Sequence, residues 1–284
     1  MKTLTLPPSI TGQLPRLITG ILLAVVLIAS LVLGGTYLAV FLAIASVLAL
    51  FEFFQMLLPG KTNLPSKIFG LLLGALLFCP VGQPHTTSVI LTLAFLWTAI
   101  AFLVDYGRGN DAANLTRHAA LPLGLLYIPI LLHLALALSL KEQFLVVVAA
   151  FASDTAAYYA GCAFGRRKIW PRVSPKKSWE GSIAGFAATV LATVCIACIP
   201  YGDGPLHGGN IFIWIVVGAF LNVAAQVGDF FESALKRTYG IKDSSALLPG
   251  HGGILDRIDS VLFTLAAYSA ILFIWSHAAK SFAA

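Results

Sequence analysis

The residues from Gly228 to Ser260 concentrate ionisable chemistry in an otherwise oily chain. Asp229, Glu232, Asp243, Asp256 and Asp259 stand there with Lys236, Arg237, Lys242, His251 and Arg257, around a Gly-rich turn at Gly250 to Gly253. Asp229, Glu232 and Lys236 are spaced i, i+3, i+7, so one helical face would carry all three. Two carboxylates and an ammonium on one face can hold a divalent cation and a phosphate oxygen together. Gly252 and Gly253 free the backbone to bend beside His251 and let N–H groups approach an anion. Magnesium suits such a set, because it takes oxygen ligands from one or two carboxylates, from water and from substrate phosphates. A merely solvated, salt-bridged loop would not need this density of glycine, or paired Asp residues at two helix ends.

Two stretches upstream offer partners. Asp154 lies inside an apolar run, where an ionised carboxylate is costly unless it is paired or lines a wet cavity. Tyr158, Gly161 and Gly165 follow it at four-residue spacing on one face, and the glycines permit close approach of another helix or a ligand. Further on, Ser174, Lys176, Lys177 and Ser178 place hydroxyls and ammoniums just before a helix start, a favourable seat for phosphate. Either lysine can be the binder. Trp179 suits a membrane interface, and Glu180 is placed to orient a lysine. Arg166 to Lys168 read as an ordinary basic loop near anionic lipid.

The elements that must position these groups are membrane helices. The chain of 284 residues is 58% hydrophobic and 11% charged, less than half the charge of a soluble domain. Apolar runs of about 20 residues recur, the length that crosses a hydrocarbon layer as a helix. The expected fold is therefore all-α and polytopic. About nine spans are predicted, over 17–34, 37–58, 66–82, 88–104, 119–140, 144–164, 182–200, 211–230 and 258–277. Residues 1–143 would be a helical scaffold and 144–284 the catalytic half of a single membrane domain. Pro122 and Pro129 predict a kinked or broken fifth helix. No small-residue cleavage pattern follows the first apolar run, which is expected to remain as a span.

With a cytoplasmic N-terminus, all of the 18 Lys and Arg residues except Lys141 and Lys280 fall on the cytoplasmic side. That asymmetry is the topological signature of inner loops, and it puts the catalytic loops there. The basic residues lie between spans, so membrane topology explains the net charge of +6 better than a nucleic-acid partner does. Cys79, Cys162, Cys195 and Cys198 fall in or beside spans and read as small packing residues rather than a zinc or disulfide framework.

The order Ser233, Leu235-Lys236-Arg237, Lys242-Asp243, Pro249-Gly250-His251-Gly252-Gly253, Asp256-Arg257 and Asp259 resembles the signature of phosphatidate cytidylyltransferases, the CDP-diacylglycerol synthases. The similarity extends upstream to Ser153-Asp154-Thr155, to Gly161 and Gly165, and to the stretch from Ser174 to Gly181, and so covers roughly the C-terminal half. It implies that CTP and phosphatidic acid react to give CDP-diacylglycerol and pyrophosphate, in phospholipid biosynthesis. By resemblance Asp229 and Asp256 are metal ligands for magnesium, with or without a second cation, and Glu232 and Asp259 stand close by as supporters or further ligands. Lys236, Arg237 and Arg257 would hold the triphosphate, and Lys176 or Lys177 the phosphatidate head group. Ser174, Ser178, Lys242, Asp243, His251, Gly252 and Gly253 would complete substrate binding, and Asp154 the metal cluster or the orientation of a base. The resemblance also implies a bacterial inner membrane, acyl chains entering from the bilayer, and a homodimer. Two other classes share parts of the pattern. A CTP-dependent lipid kinase would move the γ-phosphoryl group, and a transporter would also place Asp154 in the membrane.

Overall fold

A computed structural model describes residues 10–60, 63–79, 85–109, 115–199, 210–248, 250 and 252–283. Pro249, His251 and the 200–209 loop lie outside them. The described residues form helices and connecting loops with no strand, and only two isolated β-bridges, Lys168 with Ser178 and Leu248 with Gly252, pinch two of the loops.

Among the described residues, nine helices of 13 residues or more follow in order. They are α1 (Ile10–Leu33), α2 (Gly35–Leu57), α3 (Leu64–Leu76), α4 (Thr86–Gly107), α5 (Ala120–Ala137), α6 (Leu140–Phe164), α7 (Trp179–Ala197), α8 (Ile211–Thr238) and α9 (Leu255–Ala283). Seven of them are long and apolar enough to cross a membrane. The apolar part of α1, Leu17–Leu33, and α3 are shorter. The chain is thus an all-α integral membrane protein. Its outer faces carry exposed Leu17, Ile21, Val25, Phe95, Ile100 and Leu103, side chains that water would penalise and lipid accepts.

Local sequence sets the helix ends. Gly34 and Gly35, with φ of +60° and +47°, let α1 reverse into α2 with almost no loop, a conformation open to glycine. Ser139 caps α6 through a reciprocal box with Glu142, Ser178 caps α7 and Asn210 caps α8, each satisfying an orphan N–H. The fifth helix breaks as its prolines predict. It runs α-helical to Leu125, widens to a π-turn over Leu126–Ile130 around Pro129, and ends as a 3-10 turn over Leu134–Ala137, because Pro129 has no N–H to give.

The helix boundaries depart from expectation where polar residues lie. The eighth helix continues eight residues past the expected end at 230, to Thr238. At 28 residues it measures about 42 Å, beyond the ~30 Å hydrocarbon layer, so its charged last turns reach the membrane face. The seventh starts at Trp179, and the third ends at Leu76 rather than 82.

Two close approaches hold the later helices together. A Cβ at Gly181 would lie 2.6 Å from the Ala157 carbonyl oxygen, and one at Gly185 would lie 2.8 Å from that of Ser153, so α7 lies directly on the backbone of α6. Likewise Gly228 of α8 leaves room for the Asp259 carbonyl oxygen of α9. In the membrane, such small-residue contacts replace the hydrophobic drive that water supplies elsewhere. A polar net reinforces them. Asn222 Oδ1 accepts from Ser153 Oγ at 2.9 Å and from Gln226 Nε2 at 3.1 Å, and Gln226 also bonds Ser182.

Candidate active site

The charged ends of α8 and α9 meet around one ammonium. Lys236 Nζ stands between Glu232, four residues back on α8, and Asp256 Oδ1 of α9 at 2.6 Å. Glu232 is fully buried and Lys236 nearly so. Burying charges is tolerable only with this kind of pairing. The other Asp256 oxygen, Oδ2, accepts from Ser244 N at 2.9 Å, Ser244 Oγ at 3.0 Å and Gly253 N at 2.8 Å. Asp256 is therefore the knot that ties the 244–253 loop to α8. Gly252 takes φ +79° to make the turn, and a Cβ on Gly253 would collide with Ser244 Oγ and Glu52 Oε2.

A second ammonium, Lys177, pairs with Asp229 of α8. Lys177 Nζ also lies 4.4 Å from the Phe230 ring centroid, a cation–π contact, and Trp170 packs edge-on against that ring at 4.8 Å. The loop before α7 thus folds back over α8. Of the two adjacent lysines, Lys177 is the one turned to α8. Lys176 is exposed, and its carbonyl accepts from Lys168 Nζ at 3.3 Å. Ser174 is half-buried at the turn, its amide bonded to the Trp170 carbonyl at 2.9 Å.

Asp154 and Asp259 extend this second group inward. Asp259 is buried and accepts from its neighbour's amide, Ser260 N, at 2.6 Å. Asp154, Asp229 and Asp259 lie within electrostatic reach of one another, with Lys177 and Arg257 as the nearby positive charges of Asp154. The buried hydroxyl of Tyr127 has no hydrogen-bond partner among the described residues, whereas the Ser260 side chain bonds Asp154. Tyr127, from the π-turn of α5, packs its ring on Phe231 and Phe263 at 5.1 and 6.1 Å and feels the charges of Asp229, Glu232, Asp256 and Asp259.

Other expected site residues are more open to the surroundings. Arg237 is exposed and donates from Nη1 to the Ile241 carbonyl at 2.8 Å, capping the end of α8. Arg257, Lys242 and Asp243 are exposed, and His251 lies outside the described residues. One expectation needs correcting. Glu180 does not orient a lysine. Its carboxylate accepts from Arg166 N at 3.1 Å and Arg167 N at 3.2 Å, holding the loop closed. Ser178 is buried, and its hydroxyl accepts from Gly181 N at 3.2 Å. It caps the start of α7 in this structure.

One site residue escaped the sequence reading altogether. Glu52 of α2 is buried at 2% exposure. It accepts from Ser244 Oγ, Ser245 Oγ, Ile254 N and Leu255 N at 2.7 to 3.0 Å. A signal existed, since Glu52 is the one carboxylate in the span predicted over 37–58, the feature that singled out Asp154.

Magnesium would find hard oxygen donors here without a closed cage. No group of three metal-ligating side chains is arranged around a single point among the described residues. The chemistry nevertheless fits, because the oxygens of Asp229, Asp256 and Glu232 are hard donors and each already faces a cation. The two ammoniums stand in for positive charge at these positions. Magnesium's habit of filling its sphere with water and substrate phosphate removes the need for a closed protein cage.

Comparison with known proteins gives the family. The model of the Cytidylyltransferase family matches residues 14–275. A phosphatidate cytidylyltransferase of Bacillus subtilis (strain 168) is 31% identical over 262 residues, covering 88% of this chain and 94% of its own. That of Brucella suis biovar 1 is 34% identical over 277 residues, 92% of each chain. The Haemophilus influenzae protein of the same name is 44% identical over 130 residues, 45% of this chain and 44% of its own.

Proposed function

The chain belongs to the cytidylyltransferase family, and on that premise we propose that it transfers CMP from CTP to phosphatidate at the membrane face where α8 and α9 meet. It is a nucleotidyltransferase of phospholipid biosynthesis, and the products are CDP-diacylglycerol and pyrophosphate. The observation that carries the site assignment is the pair of ammoniums, Lys177 and Lys236, each docked on carboxylates at one end of the bundle.

A phosphatidate oxygen forms a bond to the α-phosphorus of CTP, the bond from that phosphorus to the bridging oxygen breaks, and its electron pair leaves with pyrophosphate. No protein nucleophile is required, since the lipid phosphate is already anionic. The chain must align two anions and offset their repulsion. Lys177, on the loop that leads into α7, would hold the phosphatidate head group, with Lys176, Ser174 and the Ser178 helix start nearby. Lys236, with exposed Arg237 and Arg257, would hold the triphosphate. The Gly252–Gly253 turn would lie against it with Lys242, Asp243 and His251, its Gly253 N–H already given to Asp256 Oδ2. Magnesium, held by Asp229 and Asp256 with Glu232, Asp259 and Asp154 in support, would take up negative charge on the leaving pyrophosphate. As substrate phosphates arrive, the two lysines would pass from carboxylate to phosphate partners.

The site is read as cytoplasmic because the basic loops lie at its end of the helices, with the protein in the inner membrane. Acyl chains would stay in the bilayer and reach Lys177 from the side. The homodimer rests on the resemblance alone. The testing experiment supplies the purified chain with CTP labelled at the α-phosphorus, magnesium and phosphatidate vesicles. Label in the lipid supports cytidylyl transfer, whereas label remaining in CDP would make the chain a lipid kinase.

A further inference from the structure

We propose that Glu52, from the N-terminal half of the chain, is the positioning residue that sets the nucleotide side of the active site, an inference that rests on the CTP reading above. Its carboxylate is buried among four donors. Oε1 takes Ser245 Oγ at 2.7 Å and Ile254 N at 3.0 Å, and Oε2 takes Ser244 Oγ and Leu255 N, both at 2.9 Å. The two amides stand at the start of α9, Ile254 just before it and Leu255 its first residue, where unpaired N–H groups and the positive dipole end favour an anion. The hydroxyls belong to the loop that carries Lys242, Asp243, Gly252 and Gly253. Glu52 therefore fastens that loop to the helix that bears Asp256.

The same atoms connect Glu52 to Asp256 through Ser244. The Ser244 hydroxyl lies 2.9 Å from Glu52 Oε2 and 3.0 Å from Asp256 Oδ2, while its amide donates to Asp256. Its single proton serves one carboxylate at a time, so the placement of one acid depends on the other. Gly253 is a second, independent sign of this constraint. Any side chain there would run into Ser244 Oγ and Glu52 Oε2, so the turn is built around the carboxylate. Glu52 touches no expected substrate group, and its effect would pass through the loop it holds.

Glu52→Gln is the informative change. The amide keeps the shape but replaces one acceptor oxygen by a donor NH2. A hydroxyl can rotate to accept from it, but neither backbone N–H of Ile254 or Leu255 can, so one amide of the α9 turn loses its partner. The full chain in detergent–lipid micelles is assayed for the KM of each substrate, thermal stability, and amide exchange over 244–256. We expect KM for CTP to rise about tenfold or more, the effect of losing a supporting partner of an active-site group. KM for phosphatidate should change less than twofold, with faster exchange confined to Ser244, Gly253, Ile254 and Leu255. Should that variant fail to fold, Ser245→Ala, which removes one hydroxyl from Oε1, should give the same split at smaller size. A fall in kcat with both KM values unchanged and a proportionate loss of folded protein would overturn the proposal, as would unaltered exchange over the loop. If the wild-type chain transfers no CMP, the functional reading fails, while the exchange comparison still judges the role of Glu52.

Discussion

Replacing Lys236 by Met should destabilise the protein through the carboxylates it leaves behind. Lys236 is 8% exposed, and it neutralises Glu232, at 0%, and Asp256 together. Methionine fills similar volume without charge, so packing is largely kept. What remains is two buried carboxylates facing each other without a cation. Breaking a buried ion pair from one side costs about 3–5 kcal/mol, which corresponds to a fall in Tm of about 10 °C for a chain of this size. Adding Glu232→Gln to Lys236→Met removes one of the stranded charges. Asp256 then keeps its three bonds to Ser244 and Gly253, and most of the lost stability should return. Thermal unfolding of wild type, the single variant and the double variant in one micelle composition measures this. A single variant as stable as wild type, or a double variant no better than the single, would refute the electrostatic account of the α8–α9 junction. Activity should stay low in both, because Lys236 is also assigned to the triphosphate.

Three further perturbations address other parts of the structure. Asp229→Asn should lower magnesium-dependent turnover by at least about 100-fold while leaving Tm within a few degrees, because the Asp229–Lys177 pair is about a quarter exposed; near-normal turnover would remove Asp229 from the metal assignment. Gly185→Ala places a methyl 2.8 Å from the Ser153 carbonyl oxygen and should cost about 1–3 kcal/mol by overpacking, read as a lowered Tm. Tyr127→Phe removes a buried hydroxyl that has no partner among the described residues; since an unsatisfied buried polar group costs about 1–3 kcal/mol, stability should hold or rise, and a clear loss would show a bound partner for that hydroxyl.

Much of this architecture was legible because lipid makes apolar length a structural rule. Each of the nine helices overlaps an expected span, and Pro129 marked the break in α5. The spacing of Asp229, Glu232 and Lys236 anticipated a shared helical face, and the extension of α8 to Thr238 supplies it. A hydropathy window ends that helix early because its last turns are held by ion pairs rather than by lipid. What sequence does not show is which of two adjacent residues a folded loop turns inward. Lys176 and Lys177 have the same chemistry, and only the closure of the loop by Glu180 and Trp170 directs Lys177 to Asp229. Ser178 was read as part of a phosphate seat, and its role as the cap of α7 follows from where that helix starts. Glu52 was missed for a different reason. Its partners Ser244 and Leu255 lie 192 and 203 residues away, so no local motif contains it, although its charge inside a span was visible.

The central claim is the chemical one, that CMP and not a phosphoryl group moves to lipid. Purified chain, magnesium, phosphatidate vesicles and CTP labelled at the α-phosphorus test it directly. The structure and the family predict label in the lipid fraction with release of unlabelled pyrophosphate, dependent on both substrates. Label retained in CDP, with the lipid unlabelled, would contradict the account.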